Sequence, residues 1–349
     1  MRPNAKLKTI REDFVVKEIT NNEEKLDFSK DSKFPSEENR KDFIWCDLIK
    51  KEIDHFTAIK EISKILNIPL SDIGYAGTKD KNAITIQKIS IFRPDLEKLK
   101  NFSHQKITLK NFSWNKRKIK MGYLGGNYFK ITLRDIDKKE AIKAANKIRK
   151  TAEFPNYFGK QRFGIKNKNA DIGKLILKRK FDEAVKLILE DSGNKEIYYY
   201  LSKNPGDFLG AIKRADRKNI LILVNAVQSK IFNEILERAL EERLNFTKKG
   251  MESCILPGYK TRFYDGHLGE IEKEVLKNNN LALEDFDVKE IPYLRIKGGY
   301  RKALVNVKDL SLEIRDDEMF EGSKKIILEF SLPSGVYATT FLEQFFEFG

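Results

Sequence analysis

The chain has 349 residues, 40% of them hydrophobic, and carries 67 lysines and arginines against 52 aspartates and glutamates, a formal net charge of +15 at pH 7. That excess favours a polyanionic partner, nucleic acid ahead of a membrane surface, and its even spread along the chain argues for a folded protein with room for two domains. No run approaches the ~18 apolar residues of a bilayer span, the opening MRPNAKLKTI lacks the apolar core of a secretory leader, and Cys46 and Cys254 stand too far apart for a disulfide framework, so the expected setting is a reducing cytoplasm.

In chain order, EDFVVKEI (Glu12 to Ile19) reads as a strand rich in β-branched residues. Residues 21–40 are polar and turn-like. Phe56, Ile59, Ile62, Ile65 and Leu66 recur at helical spacing over Phe56 to Asn67, with Pro69 just beyond. GYAGTKDKNA (Gly74 to Ala83) is a loop, and AITIQKISIF (Ala83 to Phe92) alternates as a strand. Asp80 is thereby placed on a loop between a helix and a strand, held on a rigid scaffold. KITLKNFSWN and YFKITLRDI predict two further strands, and a helix follows over Lys138 to Ala152. PNYFGKQRFG (Pro155 to Gly164) is a loop dense in aromatic, amide and basic groups. Helices are expected at 170–190 and at 224–246, the second with Val224, Val227, Ile231, Ile235 and Leu240 near one face. ILPGYKTRFYDGHLGE carries Gly and Pro, and after Gly298 and Gly299 the text returns to strands in KALVNVKDL and KIILEFSL. There is no internal repeat and no low-complexity segment. Strands, then a helix-rich middle, then strands again indicate one β-rich domain, residues 1–164 with 296–349, interrupted by an inserted domain at 165–295.

The Gly74 loop fails the spacing of a P-loop, which needs four residues between its glycines and then Gly-Lys-Ser/Thr. Phosphate attraction by Lys79 and Lys81 leaves the carboxylate between them unexplained. A metal-dependent nuclease needs several acids around one cation, yet Asp80 is the only Asp or Glu in residues 73–92. His55, His104 and His267 show no metal-ligand spacing and no nucleophile motif. A carboxylate nucleophile remains: among cations it stays ionised, as attack requires. GGNYFKITLR adds Asn127, whose amide offers a donor and an acceptor to a pyrimidine edge, and Phe129, a ring for base stacking; a turn Asn and a core Phe would look the same. In YFGKQRFG, Arg162 is suited to a phosphate or a carboxylate, and a lone Arg is also often a surface ion pair.

DFVVKEI, YAGTKDKNAITIQ, GNYFKITLR, PNYFGKQRFG and LPSGVYATTFLEQ (Leu332 to Gln344) together resemble the TruD-type tRNA pseudouridine synthases, in that family's order across almost the whole chain. The resemblance implies an α+β fold: a pseudouridine-synthase catalytic domain with a mixed, mainly antiparallel sheet, interrupted by an inserted α+β domain. It implies an isomerase that breaks the N1–C1′ bond of a uridine in tRNA, most often at position 13, and joins C5 to C1′. No cofactor, no metal and no obligatory protein partner is implied. Asp80 falls on the family's catalytic aspartate, Asn127 and Phe129 on residues lining the uracil pocket, and Phe14 and Tyr337 on aromatic positions beside the substrate, the last of which is Phe in some relatives. Lys8 matches a basic position near the catalytic carboxylate. Phe129 has no hydroxyl, so Asp80 or a water is the candidate base for the C5 proton; attack at C1′ and at C6 both stay open. The alternatives are a non-catalytic RNA-binding relative and a metal-dependent nuclease or phosphotransferase.

Overall fold

Along Phe14–Ile19 every second side chain is buried, the pattern of a strand with one face on a core and the other toward solvent. It belongs to a series that runs, in chain order, β1 (Asn4–Leu7), β2 (Phe14–Ile19), β3 (Phe43–Lys51), β4 (Ile73–Tyr75), β5 (Ile84–Phe92), β6 (Ile107–Asn115), β7 (Gly126–Ile136), β8 (Glu153–Pro155), β9 (Ser253–Leu256), β10 (Gly299–Lys302), β11 (Leu304–Asn306), β12 (Lys308–Asp316), β13 (Lys324–Pro333) and β14 (Glu347–Phe348). These come from a computed structural model that describes residues 2–164, 166–247 and 250–348. The chain divides into two units, Met1–Phe154 with Asn306–Gly349, and Pro155–Val305. The chain therefore crosses between them at 154/155 and 305/306, within β8 and β11; the sequence expectation put the crossings at 164/165 and 295/296.

The first unit is built on one sheet with strand order β12-β13-β7-β2-β5-β3-β6, with β1 against β7 and β14, and β4 against β5. The β2–β5 and β1–β14 pairs are parallel and the other pairs antiparallel, the mixed, mainly antiparallel sheet expected. Helix α1 (His55–Leu66) starts at Asp54, whose side chain accepts from the Phe56 and Thr57 amides, satisfying donors that the first turn leaves free. Its buried face is Ala58, Ile59, Ile62 and Leu66, packed on Ile44, Cys46 and Leu48 of β3 and on Ile89 and Ile91 of β5. Phe56, which the helical spacing put on that face, is exposed. Leu96 and Leu99 of α2 (Leu96–Lys100) join the same core. Helix α3 (Lys138–Arg149) buries a stripe of Ala141, Ala144, Ala145 and Ile148.

The second unit is mainly helical, with β9 and β10 paired antiparallel. The single helix expected at 170–190 is two, α4 (Asn169–Leu177) and α5 (Phe181–Ser192). Between them Arg179 takes a left-handed φ of 59°, and its guanidinium donates to the Asp285 and Asp287 carbonyls at 2.8 and 2.7 Å. Helices α6 (Lys195–Lys203), α7 (Phe208–Arg214), α8 (Arg217–Glu241) and α9 (His267–Asn278) follow. Helix α8 begins earlier than the hydrophobic spacing predicts, because Asp216 caps Lys218 and Asn219. It supplies Val224, Val227, Ile231, Ile235 and Leu236 to the core of this unit. Gly173 lets α4 meet it backbone to backbone, since a Cβ there would lie 2.2 Å from the Leu223 carbonyl oxygen. No described helix is long and apolar enough to cross a membrane. The last unit-one helix, α10 (Ala338–Leu342), follows β13.

Candidate active site

Asp80 lies in the connection between β4 and β5, in the first unit. Gly74 serves close approach in β4, since a Cβ there would sit 2.4 Å from the Ile119 carbonyl oxygen. The connection itself is tied down at several points. The Gly122 amide donates to the Ala76 carbonyl at 2.7 Å, and the Gln87 side-chain amide donates to the Gly77 carbonyl at 3.2 Å. Lys79 Nζ stands 3.2 Å from Glu18 Oε2 in an ion pair whose side chains are 5% and 2% exposed. Lys79 is thus committed to Glu18, and Lys81 is exposed. The cations beside Asp80 come from other segments instead. Lys8 Nζ is 3.3 Å from Asp80 Oδ2, and Lys50 Nζ donates to the Asp80 main-chain carbonyl and to that of Ile53 at 3.0 Å.

Two features of this surround are costly and therefore informative. Lys8 has a φ of 61°, a left-handed backbone that a residue with a Cβ rarely adopts. It follows β1, and its ammonium reaches both the Asp80 carboxylate and the face of Phe14, 4.1 Å from the ring centroid. Lys50 is fully buried. Burial pushes its ammonium down to about 8, opposed by the negative charges of Asp80 and Asp54. Beside it, burial and then the charges of Lys50 and Lys79 push the His55 imidazole down to about 4, so the ring is neutral near pH 7. It packs edge-on to Tyr75 with centroids 4.5 Å apart. The Asp80 side chain keeps 39% exposure, against 18% for Lys8 and none for Lys50.

Strand register assembles the aromatic wall. Val16 of β2 pairs with Phe129 of β7, and Glu18 with Asn127; on the other side Phe330 pairs with Phe129, and Leu332 with Asn127. Side chains alternate along a strand, so Asn127 and Phe129 share one face while Tyr128 and Lys130 point to the other, where both meet Glu329. Phe129 stacks on Phe330 at 5.4 Å and meets the edge of Phe14 at 6.3 Å. Phe14 and Phe129 are only 1% and 6% exposed: they form a packed wall and not a free platform. Asn127 Oδ1 is buried with no hydrogen-bond partner among the described residues, an acceptor whose desolvation cost a ligand N–H would recover.

Of the residues singled out in the sequence, the structure joins Asp80, Lys8, Phe14 and Phe129 through a chain of direct contacts, with Asn127 on the same strand face as Phe129. Tyr337 belongs to the same unit, half-buried at the start of α10, with its carbonyl accepting from Thr340 Oγ1 at 2.7 Å. Arg162 belongs to the second unit, where its Nε donates to Ser229 Oγ at 3.1 Å and its guanidinium lies 5.5 Å from the Phe158 ring. Sequence reasoning missed Lys50, His55 as Lys50's neighbour, the Glu18–Lys79 pair and Phe330. Glu18 and Lys79 were legible only as members of the quoted motifs. Among the described residues no three His, Cys, Asp or Glu side chains converge as a metal site.

A model of the family "tRNA pseudouridine synthase D (TruD)" matches residues 3–197 and 247–345. A Methanosarcina acetivorans protein named "Probable tRNA pseudouridine synthase D" is 31% identical over 96% of this chain and 90% of its own length. A Methanocaldococcus jannaschii protein named "Probable tRNA pseudouridine synthase D 1" is also 31% identical, over 98% of this chain and 95% of its own. A crystal structure of a TruD-type protein from Methanosarcina mazei superposes with a TM-score of 0.74 at 27% identity, covering 99% of this chain and 94% of that one.

Proposed function

The chain belongs to the TruD family of tRNA pseudouridine synthases, and from that premise we propose that it converts a uridine of tRNA, at position 13, to pseudouridine with Asp80 as the nucleophile. One observation carries the assignment: a half-exposed carboxylate held 3.3 Å from a lysine ammonium, in the same unit as an aromatic wall and a buried, unpartnered amide oxygen. The target base leaves its stack at a cost of a few kcal/mol. Asn127 offsets part of that cost, its Oδ1 accepting from uracil N3–H and its NH₂ donating to a ring carbonyl. The Phe14–Phe129–Phe330 wall supplies apolar contact, and Tyr337 supplies a further ring. Asp80 then attacks C1′, or adds to C6. The N1–C1′ bond breaks, the uracil turns, C5 bonds to C1′, C5 loses its proton to Asp80 or a water, and N1 gains one. The rearrangement is redox-neutral and moves no group off the nucleotide, so it balances without a co-substrate. Lys8 orients the nucleophilic carboxylate through their 3.3 Å contact.

The excess of basic residues suits sequence-independent phosphate binding, and Arg162 is a candidate phosphate contact. We place the reaction in the cytoplasm, where the two buried free cysteines would stay reduced. The test is to incubate the protein with unmodified tRNA in chelator and map new pseudouridines by chemical probing. One new pseudouridine at position 13 is expected. RNA bound but unmodified, or RNA cleaved only when divalent metal is restored, overturns the proposal.

A further inference from the structure

Lys50 is a buried charge that the isomerisation itself does not use. It lies in β3, paired in register with Thr85 of β5, and none of its surface is exposed. Taking an ammonium out of water is costly, and an apolar side chain of similar volume is often neutral or stabilising in such a place. The two acceptors found for it are main-chain carbonyls, those of Ile53 and of Asp80 itself. The second lies in the β4–β5 connection, outside the sheet ladder. The charged groups facing Lys50 are Asp80 and Lys79 from that connection, Asp54 from the start of α1, and Lys8 after β1, with neutral His55 beside it.

We propose that Lys50 is a positioning residue: its protonated ammonium fixes the peptide of Asp80, and through it the direction in which the carboxylate meets Lys8 and the extruded base. The proposal rests on the isomerase reading above and adds to it a pH-dependent device. Charge-assisted hydrogen bonds are about twice as strong as neutral ones, so losing the proton weakens the pin and removes a positive charge beside the nucleophile. Burial lowers this ammonium to about 8 in the folded chain, below its unfolded value. The unfolded chain therefore holds more protons between those two values, and the Lys50 contribution to stability rises with pH through that window. Catalysis moves the other way, falling as the ammonium is lost. A lysine with only a structural role gives the first trend without the second.

The experiment measures single-turnover pseudouridine formation in tRNA by wild type and Lys50→Met, from about pH 6 to about pH 10, with tRNA affinity and thermal unfolding in parallel. Lys50→Met should lose roughly 10–100-fold in rate near neutral pH, the scale of a nucleophile misplaced by about 1 Å. It should keep wild-type tRNA affinity, unfold no earlier than wild type, and lack the wild-type decline in rate above about pH 8. Turnover by Lys50→Met at the wild-type rate, or with the wild-type alkaline decline, overturns the proposal. Where Lys50→Met does not fold, wild type decides. A rate that falls above about pH 8 while the unfolding midpoint does not fall supports the pin, and a flat rate overturns it. Wild type that forms no pseudouridine at any pH instead removes the isomerase reading.

Discussion

Arg134 offers the sharpest test of how the wall is held. Its side chain is 4% exposed and faces Asp13 and Asp317, whose side chains are 1% and 0% exposed. Its Nε lies 2.9 and 3.0 Å from the two Asp13 oxygens, and one terminal nitrogen 2.9 Å from Asp317 Oδ1. Asp13 immediately precedes Phe14, and Arg134 shares β7 with Asn127 and Phe129, so this cluster ties together the two segments that supply Phe14 and Phe129 to the aromatic wall. Arg134→Met leaves two buried carboxylates without a counter-ion. Removing one partner of a buried pair costs about 3–5 kcal/mol. The loss should not double here, because the Ile10 amide still donates to Asp13 and the Asp135 and Met319 amides to Asp317. The contact with half-exposed Glu318 adds at most about 1 kcal/mol. The chain has two tryptophans, Trp45 and Trp114, both in the first unit, so their fluorescence follows that unit alone in a urea titration. With a slope of about 2 kcal/mol per molar urea, the midpoint should fall by about 1.5–2.5 M. A midpoint within about 0.5 M of wild type refutes the reasoning.

Three further outcomes are expected. Phe129→Ala should destabilise the first unit by about 3–5 kcal/mol, because the ring is core as well as wall; a loss under about 1 kcal/mol in the same urea assay contradicts that packing. Phe129→Leu keeps most of the volume and should instead lower kcat/KM by the equivalent of roughly 1–3 kcal/mol of base contact, and an unchanged kcat/KM would place the base elsewhere. In the second unit, fully buried Glu272 is pushed up to about 7 by burial, against donation from the Tyr264 and Ile255 amides. Its contribution to stability is therefore full below the unfolded value and lost as pH rises through about 7, with a ceiling of about 3 kcal/mol. Protection of the α9 amides against hydrogen exchange, taken relative to the intrinsic rate at each pH, should fall over that range, and Glu272→Gln should abolish the fall; an equal fall in the variant refutes it.

Much of the first unit was legible because its strands alternate cleanly and its loops carry distinctive residues. β-Branched content gave β2 and period-two alternation gave β5, while β7 was read only from Tyr128 onward, so the shared face of Asn127 and Phe129 came from the strand register. Lys8 was reached through the family resemblance alone, since its role depends on a left-handed backbone that no local glycine announces. Strand β3 was not read. Its text, FIWCDLIKK, ends in charges that look solvated, yet Asp47 is 2% and Lys50 0% exposed. Burial of a charge is decided by distant neighbours, which pattern reading does not sample. Lys79 misled for the same reason: adjacent to Asp80 in sequence, it pairs with Glu18, 61 residues away. The break between α4 and α5 was invisible because Arg179, neither Gly nor Pro, is held in place by carbonyls more than 100 residues further on.

The most direct measurement compares Asp80→Asn with wild type on the same unmodified tRNA, reading affinity and pseudouridine together. The substitution keeps the shape of the side chain and removes the nucleophilic oxygen pair. The account predicts tRNA bound at wild-type affinity and no pseudouridine at any time point. Pseudouridine appearing at the wild-type rate would contradict it.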